Sequence, residues 1–122
     1  MRASNERLTI LSEAEQAALY ELPNFDNEQR LNYLNLTPEE QVLMHSRSDL
    51  SSKIHCALPI GYFKAVHFFF RVEWEEVTED IAFVLEQYFP GQVANPSPIT
   101  KHQYYAQCQI IAKYFGYPNV VQ

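Results

Sequence analysis

The chain has few of the residues from which catalytic and cofactor sites are usually built. It contains three glycines in 122 residues, too few for a glycine-rich phosphate-binding loop. Its two cysteines, Cys56 and Cys108, lie far apart in the chain and form no C-x-x-C pair. There is no H-x-x-x-H pair either, so the spacing predicts neither a metal site nor a cofactor.

Signals for export or membrane insertion are also missing. The N-terminus MRASNERL is polar and lacks the apolar segment of a signal peptide. The aromatic stretch IGYFKAVHFFF, from Ile60 to Phe70, contains Lys64 and His67 and is too short to span a bilayer. We therefore expect a cytoplasmic protein with no membrane partner, whose cysteines are buried free thiols.

The acidic and basic residues fall into alternating zones, although the net charge is −6. Three bases and eight acids before His45 give −5, and four bases and one acid from His45 to Arg71 give +3. Six acids and no base from Val72 to Pro90 give −6, whereas the remainder has two lysines, no acid and a charge of +2. The negative net charge argues against binding to nucleic acid, but the two basic zones are compatible with a local contact to it.

Helical signals recur along the chain, and no alternating strand pattern is found. With 47% apolar residues and no repeat, the sequence predicts one all-α domain over residues 1–122, a compact bundle of five or six helices. Such a bundle can include a helix-turn-helix-like element. The first three predicted helices are Glu13–Glu21, Asn27–Tyr33 with Asn24 or Asp26 as its cap, and a helix that begins at Pro38 with Thr37 as its cap. The fourth is capped by Ser48 or Asp49 and should be kinked by Pro59. The fifth runs from about Glu75 to Tyr88, and the sixth is capped by Ser97 or Thr100 and ends before Gly116.

No catalytic constellation is apparent. The acids Glu75, Glu76, Glu79 and Asp80 are interpreted as the solvated face of a helix. Cys56 could pair with a histidine as a nucleophile, but a core position is the better interpretation.

Three blocks of the sequence resemble the N-terminal region of Tn-three-type replicative transposases. The blocks occur in the same order as in that family and together span nearly the whole chain. The resemblance rests on the three blocks taken together, because no single block is decisive. The blocks are LTILSEAEQAALYELP (Leu8 to Pro23), KIHCALPIGYFKAVHFFF (Lys53 to Phe70), and the pair EDIAFVLEQYFP and QIIAKYFGY (Glu79 to Pro90 and Gln109 to Tyr117).

The resemblance implies a non-catalytic domain that helps to bind the terminal inverted repeats of the transposon. Members of that family cut and join DNA with carboxylates and metal ions of a distant C-terminal region, so these residues are not expected to be an enzyme by themselves. The implied partners are double-stranded DNA and the remainder of the transposase.

Given that resemblance, the last helix is the best candidate for the DNA-reading element. Lysine and glutamine are side chains that contact phosphates and base edges. The predicted DNA-binding residues are Lys101, His102 and Gln103 in its first turn, Gln107 and Lys113 on its outer face, and Lys53, Lys64 and Arg71 as phosphate contacts.

A second hypothesis is an assembly module of the transposase that makes no contact with DNA. Five aromatic residues between Tyr62 and Phe70 could form its docking surface, although core packing explains most of them more simply. The acidic zones, which would repel DNA, favour this alternative.

Overall fold

A computed structural model describes residues 7–9, 23–70, 72–94, 99–117 and 119–121, the first and last of these ranges by their backbone alone. The chain divides into two compact units. The first comprises Met1–Glu21 and Thr100–Gln122, and the second comprises Leu22–Ile99. The predicted helix Glu13–Glu21 lies outside the described residues, and the prediction of a single domain over residues 1–122 stays a prediction.

The second unit begins with two short helices whose starts were predicted from their caps. Helix α1 spans Asn27–Tyr33 and α2 spans Pro38–His45. Each begins with a capping box, in which the side chain of Asp26 or Thr37 accepts the backbone N–H of the third helical residue. The side chain of that third residue in turn accepts the N–H of the cap residue. Because a capping box is a local pattern, the sequence predicted both starts correctly.

Helix α3, Leu50–Val66, is the centre of the second unit. Asp49 caps it by accepting the N–H of Ser52, as one of the two predicted caps. Ten consecutive residues from Ile54 to Phe63 are buried, which requires neighbours on every side of the helix. The helix continues through Pro59 and ends at His67, whose left-handed backbone (φ 57°) stops it before the non-helical residues 68–70.

Helix α3 approaches the C-terminal end of α1 closely at Gly61. A Cβ atom at this position would overlap the side chain of Leu34 and lie 3.1 Å from the carbonyl oxygen of Tyr33. Leu34 is fully buried, so its side chain has little room to move away. Glycine is therefore the residue that permits this packing.

Helix α4, Thr78–Tyr88, follows a 3₁₀ turn over Trp74–Val77. The sequence predicted one continuous helix from about Glu75, but Val77 has φ −130° and ψ 33°, which interrupts the α-helical geometry. Val77, Ile81 and Val84 are buried. The interpretation that all the acids of this segment face water was wrong for Asp80, which is 6% exposed.

Asp80 is buried because it belongs to a polar cluster that joins α1, α3 and α4. Its two carboxylate oxygens accept hydrogen bonds from Nε of Arg30 (2.7 Å) and from the hydroxyl of Tyr62 (2.6 Å). Arg30 also donates to Asn27 (2.8 Å) and to Glu79 (2.6 Å). The hydrogen bond to Asp80 raises the pKa of Arg30, and burial raises that of Tyr62. We call Arg30, Asp80, Tyr62, Asn27 and Glu79 the Arg30 cluster.

The first unit contains helix α5, Lys101–Tyr114, and a short parallel pair of strands. Thr100 caps α5 in a capping box with Gln103, as one of the two predicted caps, and Gly116 (φ 96°) follows its end. Strands β1 (Arg7–Thr9) and β2 (Asn119–Val121) have three residues each, and sequence patterning predicted neither. The all-α class is confirmed, with this short pair as its exception.

Among the residues that the structure describes, no helix combines the length and the apolar character needed to cross a bilayer.

Candidate nucleic-acid interface

The predicted first-turn residues of α5 are accessible. Lys101, His102 and Gln103 are all exposed. The side chain of Gln103 already makes a hydrogen bond within the chain. Its oxygen accepts the backbone N–H of Thr100 (3.0 Å) and so holds the start of the helix. The ammonium of Lys101 lies 5.8 Å from the ring centroid of Tyr105, a distance typical of a cation–π contact.

Gln107 does not lie on the outer face of α5, and its assignment to that face was wrong. It is 7% exposed and belongs to the buried side of the helix. Gln107 follows Tyr104 by three residues and precedes Ile111 by four, which are the spacings of neighbours on one helical face. Since Tyr104 and Ile111 are both buried, the burial of Gln107 follows from the periodicity.

The accessible face of α5 instead presents His102, Ala106, Gln109 and Lys113, all of which are exposed. Their spacing of four, three and four residues places them in one row along the helix. We call this row the outer stripe of α5. Gln109 and Ala106 were missed from the sequence, although the same periodicity that buries Gln107 places them opposite the core. Lys113 was predicted correctly as an exposed residue of this face.

Helix α5, which presents the outer stripe, carries positive charge without a compensating acid of its own. The segment from Lys101 to Tyr114 contains two lysines and no Asp or Glu. A shallow groove of about 540 Å³ lies at its C-terminal end, lined by Gln109, Ile110, Lys113, Gly116 and Tyr117. An amide, an ammonium and an apolar side chain thus face solvent side by side.

The predicted phosphate contacts of the second unit are less available than the sequence suggested. The ammonium of Lys64 donates to a carboxylate oxygen of Glu40 at 2.9 Å, and Glu40 is 3% exposed. Lys64 therefore neutralises a buried acid and is not free to bind phosphate. Lys53 is half-buried, with its ammonium 5.9 Å from the ring centroid of Phe89. Arg71 lies outside the described residues.

The aromatic residues between Tyr62 and Phe70 form part of the core, as the simpler interpretation had it. Tyr62, Phe63, Phe69 and Phe70 are all buried, and Phe68 is half-buried. The rings of Phe63 and Phe69 stack with centroids 4.9 Å apart. The hypothesis that these residues form a docking surface is therefore wrong for four of the five, because those four are buried.

Both cysteines are buried free thiols, as predicted. Burial raises the pKa of Cys56 to about 11 and that of Cys108 to about 12, so neither sulfur carries the thiolate that a nucleophile needs at neutral pH. His55, next to Cys56, packs its ring against Trp74 at a centroid distance of 5.4 Å. Within the described part of the chain, no three His, Cys, Asp or Glu residues are grouped as metal ligands.

A family model described as a domain of unknown function, DUF4158, matches residues 10–121. No curated protein and no solved structure matches the chain.

Proposed function

We propose that this chain, which belongs to the DUF4158 family, is the non-catalytic N-terminal domain of a Tn-three-type transposase and helps to bind the terminal inverted repeats of the transposon. Its partners in this role are double-stranded DNA and the rest of the transposase. The outer stripe of α5, together with Lys101 in its first turn, is the surface that contacts the DNA.

The resemblance of the three sequence blocks supports the transposase part of the proposal. Those blocks run from Leu8 to Tyr117 and so span most of the chain.

The exposed, acid-free face of α5 is the observation that carries the DNA part of the proposal. A helix of 14 residues is about 21 Å long, and the major groove of B-DNA is about 12 Å wide, so one helix can lie in it. Gln109 can pair with adenine, and Lys113 can contact guanine or phosphate. Ala106, between them and His102, has a small side chain that allows the backbone to approach base edges.

Replacing Lys101 and Lys113 together with alanine is expected to weaken duplex binding roughly tenfold in low salt, because two cations near phosphates are lost. The slope of log affinity against log salt should become shallower by about two. Fluorescence anisotropy with a duplex of the transposon's terminal repeat and with a scrambled duplex, at several NaCl concentrations, measures both quantities.

The matched control replaces Arg47 and Lys53, two bases of the second unit, with alanine. Its affinity should stay close to that of the unaltered chain. If this control weakens binding and the α5 pair does not, DNA contacts the start of α3 instead. If neither duplex binds to the unaltered chain in low salt, DNA binding by these residues is excluded.

Replacing Gln109 with alanine should reduce the preference for the terminal repeat over the scrambled duplex about five- to hundredfold, as expected for one bidentate base contact. Affinity for the scrambled duplex should hardly change, because an uncharged amide contributes little to phosphate binding. Gln92→Ala, an exposed glutamine of the second unit, is the matched control. An equal loss on both duplexes would assign Gln109 to general backbone contact.

A second candidate function, an assembly module without DNA contact, is favoured by the acidic surface of the second unit. Glu73, Glu75, Glu76, Glu79 and Glu86 are all exposed around α4, in a segment with no base. Such a surface repels phosphates and attracts basic protein segments.

A further inference from the structure

A groove of about 550 Å³ runs between the start of α1 and the outer face of α4 in the second unit. Its apolar lining consists of Phe25, Ala82 and Phe83, and its carboxylates are Asp26, Glu79 and Glu86. All of these residues belong to the second unit, so the groove is complete without the first. It combines an apolar surface with a negatively charged rim.

The α4 side of the groove has a regular pattern. Glu79, Ala82, Phe83 and Glu86 are spaced by three, one and three residues and therefore share one face of the helix. The two glutamates are separated by two helical turns, about 10 Å, with the alanine and phenylalanine between them. A complementary segment would carry an apolar residue between two cations about two turns apart.

The charge of the groove is not neutralised from within. Arg30 is its only lining cation among the described residues, against three carboxylates. The guanidinium of Arg30 is already bound to Asp80, Asn27 and Glu79, so it is held at one end of the groove. Glu86, at the other end, is exposed and forms no ion pair within the part of the chain that the structure describes.

We propose that this groove binds a basic amphipathic helix of a partner protein, with arginine or lysine at two positions seven residues apart and apolar residues between them. One cation of the partner helix pairs with Glu86, and the other pairs with the carboxylate oxygen of Glu79 that Arg30 does not bind. The apolar residues of the partner helix cover Phe83 and Ala82. Charge complementarity favours this occupant over nucleic acid, whose phosphates the carboxylates repel. The proposal is independent of DNA binding by the first unit.

The probe for this proposal is a fluorescein-labelled, alanine-rich helical peptide with two arginines seven residues apart and leucines three and four residues after the first. It should bind the full chain saturably, and more weakly as NaCl is raised. Phe83→Ala should weaken binding about tenfold through lost apolar burial. Glu86→Gln should weaken it about two- to fivefold, the effect of one exposed ion pair.

Two controls separate the groove from a general acidic field. Glu75→Gln removes the same charge from an exposed residue of the 3₁₀ turn, outside the groove, and should leave the affinity unchanged. A peptide of the same composition, with its leucines moved to the face opposite the arginines, should bind at least tenfold more weakly. The proposal is overturned if the two glutamate variants behave alike, if both peptides bind equally, or if the first peptide does not bind.

Discussion

Replacing Asp80 with alanine is expected to destabilise the second unit by about 3–5 kcal/mol, the usual loss when one partner of a buried ion pair is removed. The guanidinium of Arg30 and the hydroxyl of Tyr62 would both remain buried after losing their shared acceptor. Urea unfolding measures the change, followed by the fluorescence of Trp74, the single tryptophan, which lies in this unit.

Glu79 provides the matched control within the same cluster. It also binds Arg30, at 2.6 Å, but its side chain is 81% exposed, whereas that of Asp80 is 8% exposed. Glu79→Ala should therefore lower the free energy of unfolding by less than about 1 kcal/mol. Equal losses for the two variants would contradict the assignment of Asp80 as the buried anchor of the cluster.

The variant Gly61→Ala is expected to destabilise the same unit by about 2 kcal/mol, within the range for overpacked cores. At an open position inside a helix this substitution stabilises by about 1 kcal/mol, so the sign of the change is diagnostic. The new methyl group would overlap Leu34 and approach the carbonyl oxygen of Tyr33. Urea unfolding with Trp74 as the probe again gives the value.

A double-mutant cycle identifies the cause of that loss. In a Leu34→Ala background, most of the penalty of Gly61→Ala should disappear, because the side chain that the methyl group overlaps has been removed. If the penalty is unchanged in that background, the close approach to Leu34 is not its source.

The starts of α1, α2, α3 and α5 could be predicted from the sequence because capping is local. Asp26, Thr37, Asp49 and Thr100 each lie within three residues of the N–H group that they accept, so a short window holds the whole pattern. The all-α class follows from the same signals. Strands β1 and β2 were missed because three residues are too few to establish an alternating pattern.

The errors at charged positions have a different cause. Asp80 is 50 residues from Arg30, and Lys64 is 24 residues from Glu40, so no local pattern reveals that either pair is bound. A single helix places an acid or a lysine on a face, but the neighbouring helices decide whether that face is buried. Gln107 was a different case, because the spacing to Tyr104 and Ile111 already indicated its burial.

The pairing of β1 with β2 has a consequence for the order in which the chain folds. Arg7 lies opposite Asn119, so residues 112 positions apart must meet before the first unit is complete. The whole second unit, Leu22–Ile99, is synthesised between them. Because contacts between residues far apart in the chain form slowly, this pairing is expected to be a late step. During synthesis, the middle of the sequence can therefore acquire its structure before the two outer segments find each other.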